Sequence, residues 1–236
     1  MASYFYGGSP AKRRLTKRRR RCADDDDDEI GEDEIAEMIV QDIGKQLLSI
    51  DAFKPGLGDR ICAKDNHIYF NADINDATSH KLNMLLNDTI DNMRSVGIKY
   101  GIEPPTIKLH VTSYGGTIFS ALNVVDTITK SPIPIESYVE GSVASAGTFL
   151  TVVCKKRYMK KRAFMLIHQL SSGMWGKMSE IRDEVLNCEK ITEVVKEIYL
   201  EYTSMSKASM DSLMDHDLWL RPEECLRKGL IDEILE

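Results

Sequence analysis

The chain has 236 residues and a net charge of −6, from 31 Lys and Arg against 37 Asp and Glu. That balance provides no global cation field for nucleic acid or an anionic membrane, and no run approaches the roughly 18–20 apolar residues of a membrane-spanning helix. The five cysteines (Cys22, Cys62, Cys154, Cys188 and Cys225) form no C-x-x-C pair, so neither a zinc site nor a disulfide framework is indicated, and a cytoplasmic or other reducing compartment is expected.

Residues 12–21 read KRRLTKRRRR and residues 23–34 read ADDDDDEIGEDE. Opposite charge blocks of this density are too polar to build a core, so a flexible, solubilising extension is expected. The basic tract alone could engage polyanions, with the acidic tract competing for it. No apolar h-region precedes it, so no secretory signal is expected. Ile35, Met38, Ile39, Ile43, Leu47 and Leu48 then recur at mostly helical spacing, a short amphipathic helix. Pro55, Gly56 and Gly58 mark a linker. The expected division is an extension over 1–58 and one domain over 59–236, enough for a single sizeable core.

Beyond that point strands and helices alternate. Residues 67–71 (HIYFN) read as a strand, and 76–95 as a helix with Leu82, Leu85, Leu86, Ile90 and Met93 on one face. The segment 106–112 alternates as a strand should. After Gly115-Gly116 a helix uses Ile118, Ala121, Leu122, Val125 and Ile128; strand 134–139 then leads into a glycine-serine turn at 141–147. This order predicts an α/β fold with a mostly parallel sheet and helical crossovers, whose ligand sites lie at the carboxyl ends of strands.

The residues with chemical capacity fall at those ends. Ser145, in Gly141-Ser142-Val143-Ala144-Ser145-Ala146-Gly147, precedes the apolar helix 148–153. It reads as a helix cap, a packing serine or a nucleophile; the pattern is not the G-x-S-x-G elbow. A helix start exposes backbone N–H groups, that of Ala146 included, which can stabilise an oxyanion. Gly115 and Gly116 permit close approach of backbone to a ligand and offer a second N–H, or they make a tight turn. His168 ends the apolar run 163–167 and could take a serine proton near neutral pH. Asp215-His216-Asp217 supplies carboxylates to orient such a base, and also a rival base in His216.

These pieces together resemble the proteolytic subunit of the Clp protease. The nucleophile motif Gly-x-x-Ala-Ser-x-Gly stands at 141–147, His-Gln at His168-Gln169, and an Asp two residues before an aromatic at Asp217-Leu218-Trp219. Pro222-Glu223-Glu224 and Gly229-Leu230-Ile231-Asp232 complete the family order. The resemblance implies Ser145 as nucleophile, His168 as base, Asp217 as orienting acid, and the N–H groups of Gly115 and Ala146 as oxyanion donors. It also implies a ClpP/crotonase-like fold of repeated β-β-α units with a protruding strand-helix handle, at 171–203 here. The long helix carries Ile181, Val185, Cys188, Ile191, Val195, Ile198 and Tyr202 as an apolar stripe.

Further implications are a homo-oligomer of heptameric rings, two of them stacked, enclosing the sites; unfolded or selected protein substrates; and an AAA+ ATPase unfoldase as partner. No metal or organic cofactor is implied, and the chain lacks the G-x-x-x-x-G-K-[ST] phosphate loop. Tyr114 replaces the family's proline, Ala146 its methionine and Leu170 a second proline, as in a divergent or viral member. Rival readings are an inactive or regulatory ring subunit, a crotonase-like acyl-thioester enzyme, and a Ser-Lys peptidase using Lys155 or Lys156.

Overall fold

Residues 60–173 and 175–236 are described by a computed structural model. The charged extension and its amphipathic segment at 35–48 lie outside them. Strands β1 (Arg60–Lys64) and β2 (His67–Asn71) pair antiparallel, joined through Asp65 in the left-handed region at φ 55°, where a short polar side chain is tolerated. Helix α1 (Asp76–Tyr100) begins with a reciprocal capping box between Asn75 and Thr78 and stops at Gly101 at φ 63°. It runs five residues past the expected end at 95, because Gly101 is the first residue to turn it.

The chain continues through β3 (Ile107–Ser113), α2 (Ile118–Thr129), β4 (Ile135–Ala144), α3 (Gly147–Val152), β5 (Lys156–Lys160) and β6 (Phe164–Leu166). It ends with α4 (Met178–Tyr202), α5 (Lys207–Met214), β7 (Trp219–Leu220), α6 (Pro222–Arg227) and β8 (Glu233–Leu235). The sheet order is β1-β2-β3-β4-β5-β8, with β6 pairing β4 and β7. All pairings except β1–β2 and β6–β7 are parallel, as the strand–helix alternation predicts.

In β3 each residue with its side chain on one face is buried and its neighbours are half-buried, the period-2 pattern of a strand with one packed face. Ile68, Phe70, Leu109, Val111, Val139 and Met159 join helix residues such as Leu82, Leu86, Val124 and Leu150 in one core. Each such side chain contributes about 1.5–3 kcal/mol by leaving water.

The opposite face carries polar aromatics in register. Tyr69, His110, Tyr138 and Tyr158 are successive cross-strand partners, their rings stacked with centroids 4.5, 4.9 and 4.7 Å apart. His67 and His110 share a hydrogen bond of 2.8 Å between ring nitrogens, and Glu140 joins His110 Nδ1 to the Lys160 ammonium. Burial, with the neighbouring His110 and Lys108, pushes the His67 pKa down. Such cross-strand pairs help to fix register.

One expectation needs correction: residues 141–144 are not part of a turn. Strand β4 continues to Ala144, because Ser142–Ala144 find a second partner in β6 after Glu136–Val139 have paired with β5. The turn is confined to Ser145 and Ala146.

Arg157 ties the end of the long helix to the C-terminal segment. Its guanidinium donates to the carbonyls of Tyr202 (2.6 Å) and Gly229 (2.7 Å) and to both oxygens of Asp232. Its side chain is only 13% exposed. The guanidinium holds the Asp232 carboxyl below its ordinary pKa.

Candidate active site

Ser145 leaves β4 with φ 54°, in the left-handed region that non-glycine residues seldom adopt. The conformation costs on the order of 1–3 kcal/mol and persists only where the surroundings over-determine it. They do so here. The Ser145 N–H donates to the Leu166 carbonyl at 2.8 Å, while the Ser145 carbonyl accepts both the Thr148 N–H (3.0 Å) and the Thr148 hydroxyl (2.7 Å).

Gly115 lies against this turn at φ 95°. A Cβ on it would stand 2.7 Å from Ser145 Cβ and 3.1 Å from the Ala146 nitrogen, so only glycine fits. Gly116 is as tightly placed, since a Cβ there would be 2.1 Å from the Ile74 carbonyl oxygen. The close approach brings the two expected oxyanion donors together, but their states differ. The Ala146 N–H has no backbone partner among the described residues. The Gly115 N–H donates to Ser113 Oγ at 3.1 Å.

His168 follows β6, and the N–H of Gln169 holds the segment to the Met214 carbonyl at the end of α5 (3.1 Å). A cavity of about 200 Å³ is shared by Ser145, Ala146, His168 and Gly116, with Thr192 and Val195 of the long helix forming another wall. Asp217 is not among its lining residues. Its Oδ1 lies 4.0 Å from His168 Nδ1, and its side chain is 80% exposed against 23% for His168. Hydrogen-bonded catalytic pairs lie at about 2.6–3.2 Å, and such pairs are often longer without substrate. His216 and Asp215 are exposed beside Asp217 and do not line the cavity.

Lys155 and Lys156 are also absent from the cavity lining; the Lys156 ammonium sits 3.3 Å from Glu233 and over the Tyr158 ring. Tyr114, 68% exposed, meets Trp219 edge-on with ring centroids 6.5 Å apart. That contact links the loop after β3 to the segment after Asp217.

Three features escape the sequence reading. The strained backbone at Ser145 has no residue signature, since Ser is not a residue that advertises φ > 0. The Ser113 hydroxyl that takes the Gly115 N–H was hidden in a strand end. Tyr199, outside the expected apolar stripe, is buried and hydrogen-bonded to Thr148; a tyrosine near the end of an otherwise aliphatic helix face was its only signal.

A family model described as Clp protease matches residues 61–236. The ATP-dependent Clp protease proteolytic subunit 3 of Streptomyces coelicolor is 30% identical over 132 residues, 55% of this chain and 61% of that protein. Proteolytic subunit 2 of Mycolicibacterium paratuberculosis is 30% identical over 158 residues, 64% of this chain and 78% of that protein. The chain thus spans about three fifths of the length of the first of these relatives. A solved structure, a point mutant of ClpP1 from Listeria monocytogenes, superposes with a TM-score of 0.64 at 21% identity, covering 73% of this chain and 92% of the other; it establishes the fold.

Proposed function

Because the chain belongs to the Clp protease family, we propose that it is a serine endopeptidase in which Ser145 is the nucleophile, His168 the general base and Asp217 the acid that orients it. The observation that carries this reading is a strained serine held at a strand end in one cavity with a histidine. Strain of that kind concentrates at functional sites.

In the proposed reaction His168 accepts the Ser145 proton as Oγ attacks the scissile carbonyl. The Ala146 N–H, unengaged by backbone, stabilises the oxyanion, and the Gly115 N–H joins it by turning from Ser113 Oγ. His168 then protonates the leaving amine, and water hydrolyses the acyl-enzyme by the same route. For this step His168 and Asp217 would close from 4.0 Å to hydrogen-bonding distance.

The long helix exposes Met178, Val185, Leu186 and Val194, apolar surface that supports assembly of several copies into rings with the sites inside. Unfolded or selected proteins would be the substrates, delivered by an AAA+ ATPase, and residues 1–58 would stand outside the peptidase domain.

The test is treatment with a fluorophosphonate followed by peptide mass spectrometry. A covalent adduct on Ser145, lost in His168→Ala, is expected. Full reactivity after His168→Ala would instead favour a lysine base, and modification of another serine would sink the assignment.

A further inference from the structure

The Ser145 turn is reached from the long helix by a buried chain of hydroxyl groups. Tyr199 of α4 is 1% exposed, and its hydroxyl is hydrogen-bonded to Thr148 Oγ1. Thr148 Oγ1 in turn bonds the Ser145 carbonyl oxygen. Proton accounting fixes the direction. A threonine hydroxyl has one proton, and the Ser145 carbonyl can only accept, so that proton goes to Ser145. Tyr199 must therefore donate to the remaining lone pairs of Thr148.

A phenylalanine would fill the same apolar position without the cost of burying a hydroxyl. The ring already packs edge-on against Phe149, with centroids 5.6 Å apart, so shape alone does not call for the oxygen. Burial also raises the phenol pKa, which keeps it a neutral donor. The wider setting agrees: Phe149, together with Thr192 and Val195 from the same long helix, lines the cavity that holds Ser145.

We propose that Tyr199 is a positioning residue for the nucleophile: donating to Thr148, it holds the hydroxyl that fixes the Ser145 carbonyl, and so keeps the left-handed turn aligned. This rests on Ser145 being the nucleophile. Without the phenol, Thr148 Oγ1 has an unpaired side and its hydroxyl can swing to other acceptors. The Ser145 backbone is then free to relax toward ordinary φ, which moves Oγ from its place in the cavity that His168 also lines. Tyr199 touches neither substrate nor reacting atoms, so its effect belongs in the rate of serine attack and not in substrate affinity.

The experiment uses the full chain and compares wild type with Tyr199→Phe, Thr148→Val, Thr148→Ser and the Tyr199→Phe/Thr148→Val double variant. The readouts are the rate of fluorophosphonate labelling of Ser145, kcat and KM for a peptide, thermal midpoint and native mass. Tyr199→Phe and Thr148→Val should each slow labelling and kcat about tenfold, the scale of one buried hydrogen bond. KM should stay within about twofold, because uniform binding is untouched. Thr148→Ser, which keeps the hydroxyl, should restore most of the rate, and the double variant should be no slower than the slower single one.

Wild-type labelling at Ser145 with an unchanged rate in Tyr199→Phe overturns the positioning role, as does a lowered thermal midpoint with kcat intact. Additive losses in the double variant overturn the single chain of bonds. Should Tyr199→Phe not fold, the Thr148→Val and Thr148→Ser pair decides: equal rates in the two reject the proposal. Labelling of the wild type at some other serine overturns the nucleophile assignment itself, and the positioning role with it.

Discussion

The two sides of the candidate site are built to different tolerances. On one side Ser145 is fixed by three hydrogen bonds to its own backbone and by Gly115 pressed against its Cβ. On the other, Asp217 stands in solvent 4.0 Å from the imidazole it would orient, on a segment attached through the Gln169–Met214 bond. The first side is assembled from parallel strands inside the core, and the second from the short elements that follow the long helix. On the proposed reading, a single chain would pre-organise its nucleophile while base and acid remain to be drawn together.

The hardest blow to the rigid side is Ser145→Ala. Peptide hydrolysis should fall by about three orders of magnitude or more while native mass is unchanged, measured in a stopped peptide assay. Asp217→Asn strikes the loose side. A drop in kcat of about 10²–10⁴ is expected, with the thermal midpoint little altered because the side chain is exposed. If that variant keeps wild-type kcat, Asp217 takes no part in orientation.

Gly115→Ala tests the rigid side while keeping both the Ser145 hydroxyl and the N–H of residue 115. The added Cβ would meet Ser145 Cβ at 2.7 Å in a backbone region that side chains disfavour. A loss of about 2–3 kcal/mol in denaturant unfolding and a drop in kcat of about a hundredfold are expected. Arg157→Ala loosens the frame that carries Asp217, leaving the Tyr202 and Gly229 carbonyls without the guanidinium and the Asp232 carboxylate with only the backbone N–H of residue 157. It should cost about 2 kcal/mol in the same unfolding measurement.

The smallest effect is one of pH. Because Asp232 titrates below its ordinary value of 3.8 in the fold, its pairing stabilises fully above about pH 4 and loses that contribution as pH falls toward the lowered value. Acid titration of stability should therefore be shallower in Arg157→Ala than in wild type below about pH 4.

Much of this architecture is written in local patterns. The alternation in 106–112 and the helical spacing of Leu82, Leu86 and Ile90 depend on neighbours within a few residues, so the strands and helices can be read directly. Strand β4 is different. Its last residues look like a flexible glycine-serine stretch and are held straight by β6, a partner more than twenty residues further on, together with Ser113 of β3. The site divides the same way. Ser145, His168 and Gly115 sit at strand ends that a pattern can locate, and the structure brings Ser145 and His168 to one cavity with Gly115 against the serine. The 4.0 Å gap to Asp217 and the engagement of Gly115 by Ser113 depend on side-chain packing that no periodicity encodes.

The pairing of β5 with β8 also has a consequence for the order in which the chain is made. Tyr158 finds Glu233, and Arg157 finds Asp232, across 75 residues. Synthesis releases Ser145 and its strands well before the segment bearing Asp217, and β8 after both. Pairings so distant in sequence form slowly and late. On the proposed reading, a nascent chain would carry its nucleophile before the segment that bears its acid, and the strand that closes the sheet beyond it, have been made. Such a schedule would keep a half-made peptidase from cutting the chains being translated beside it.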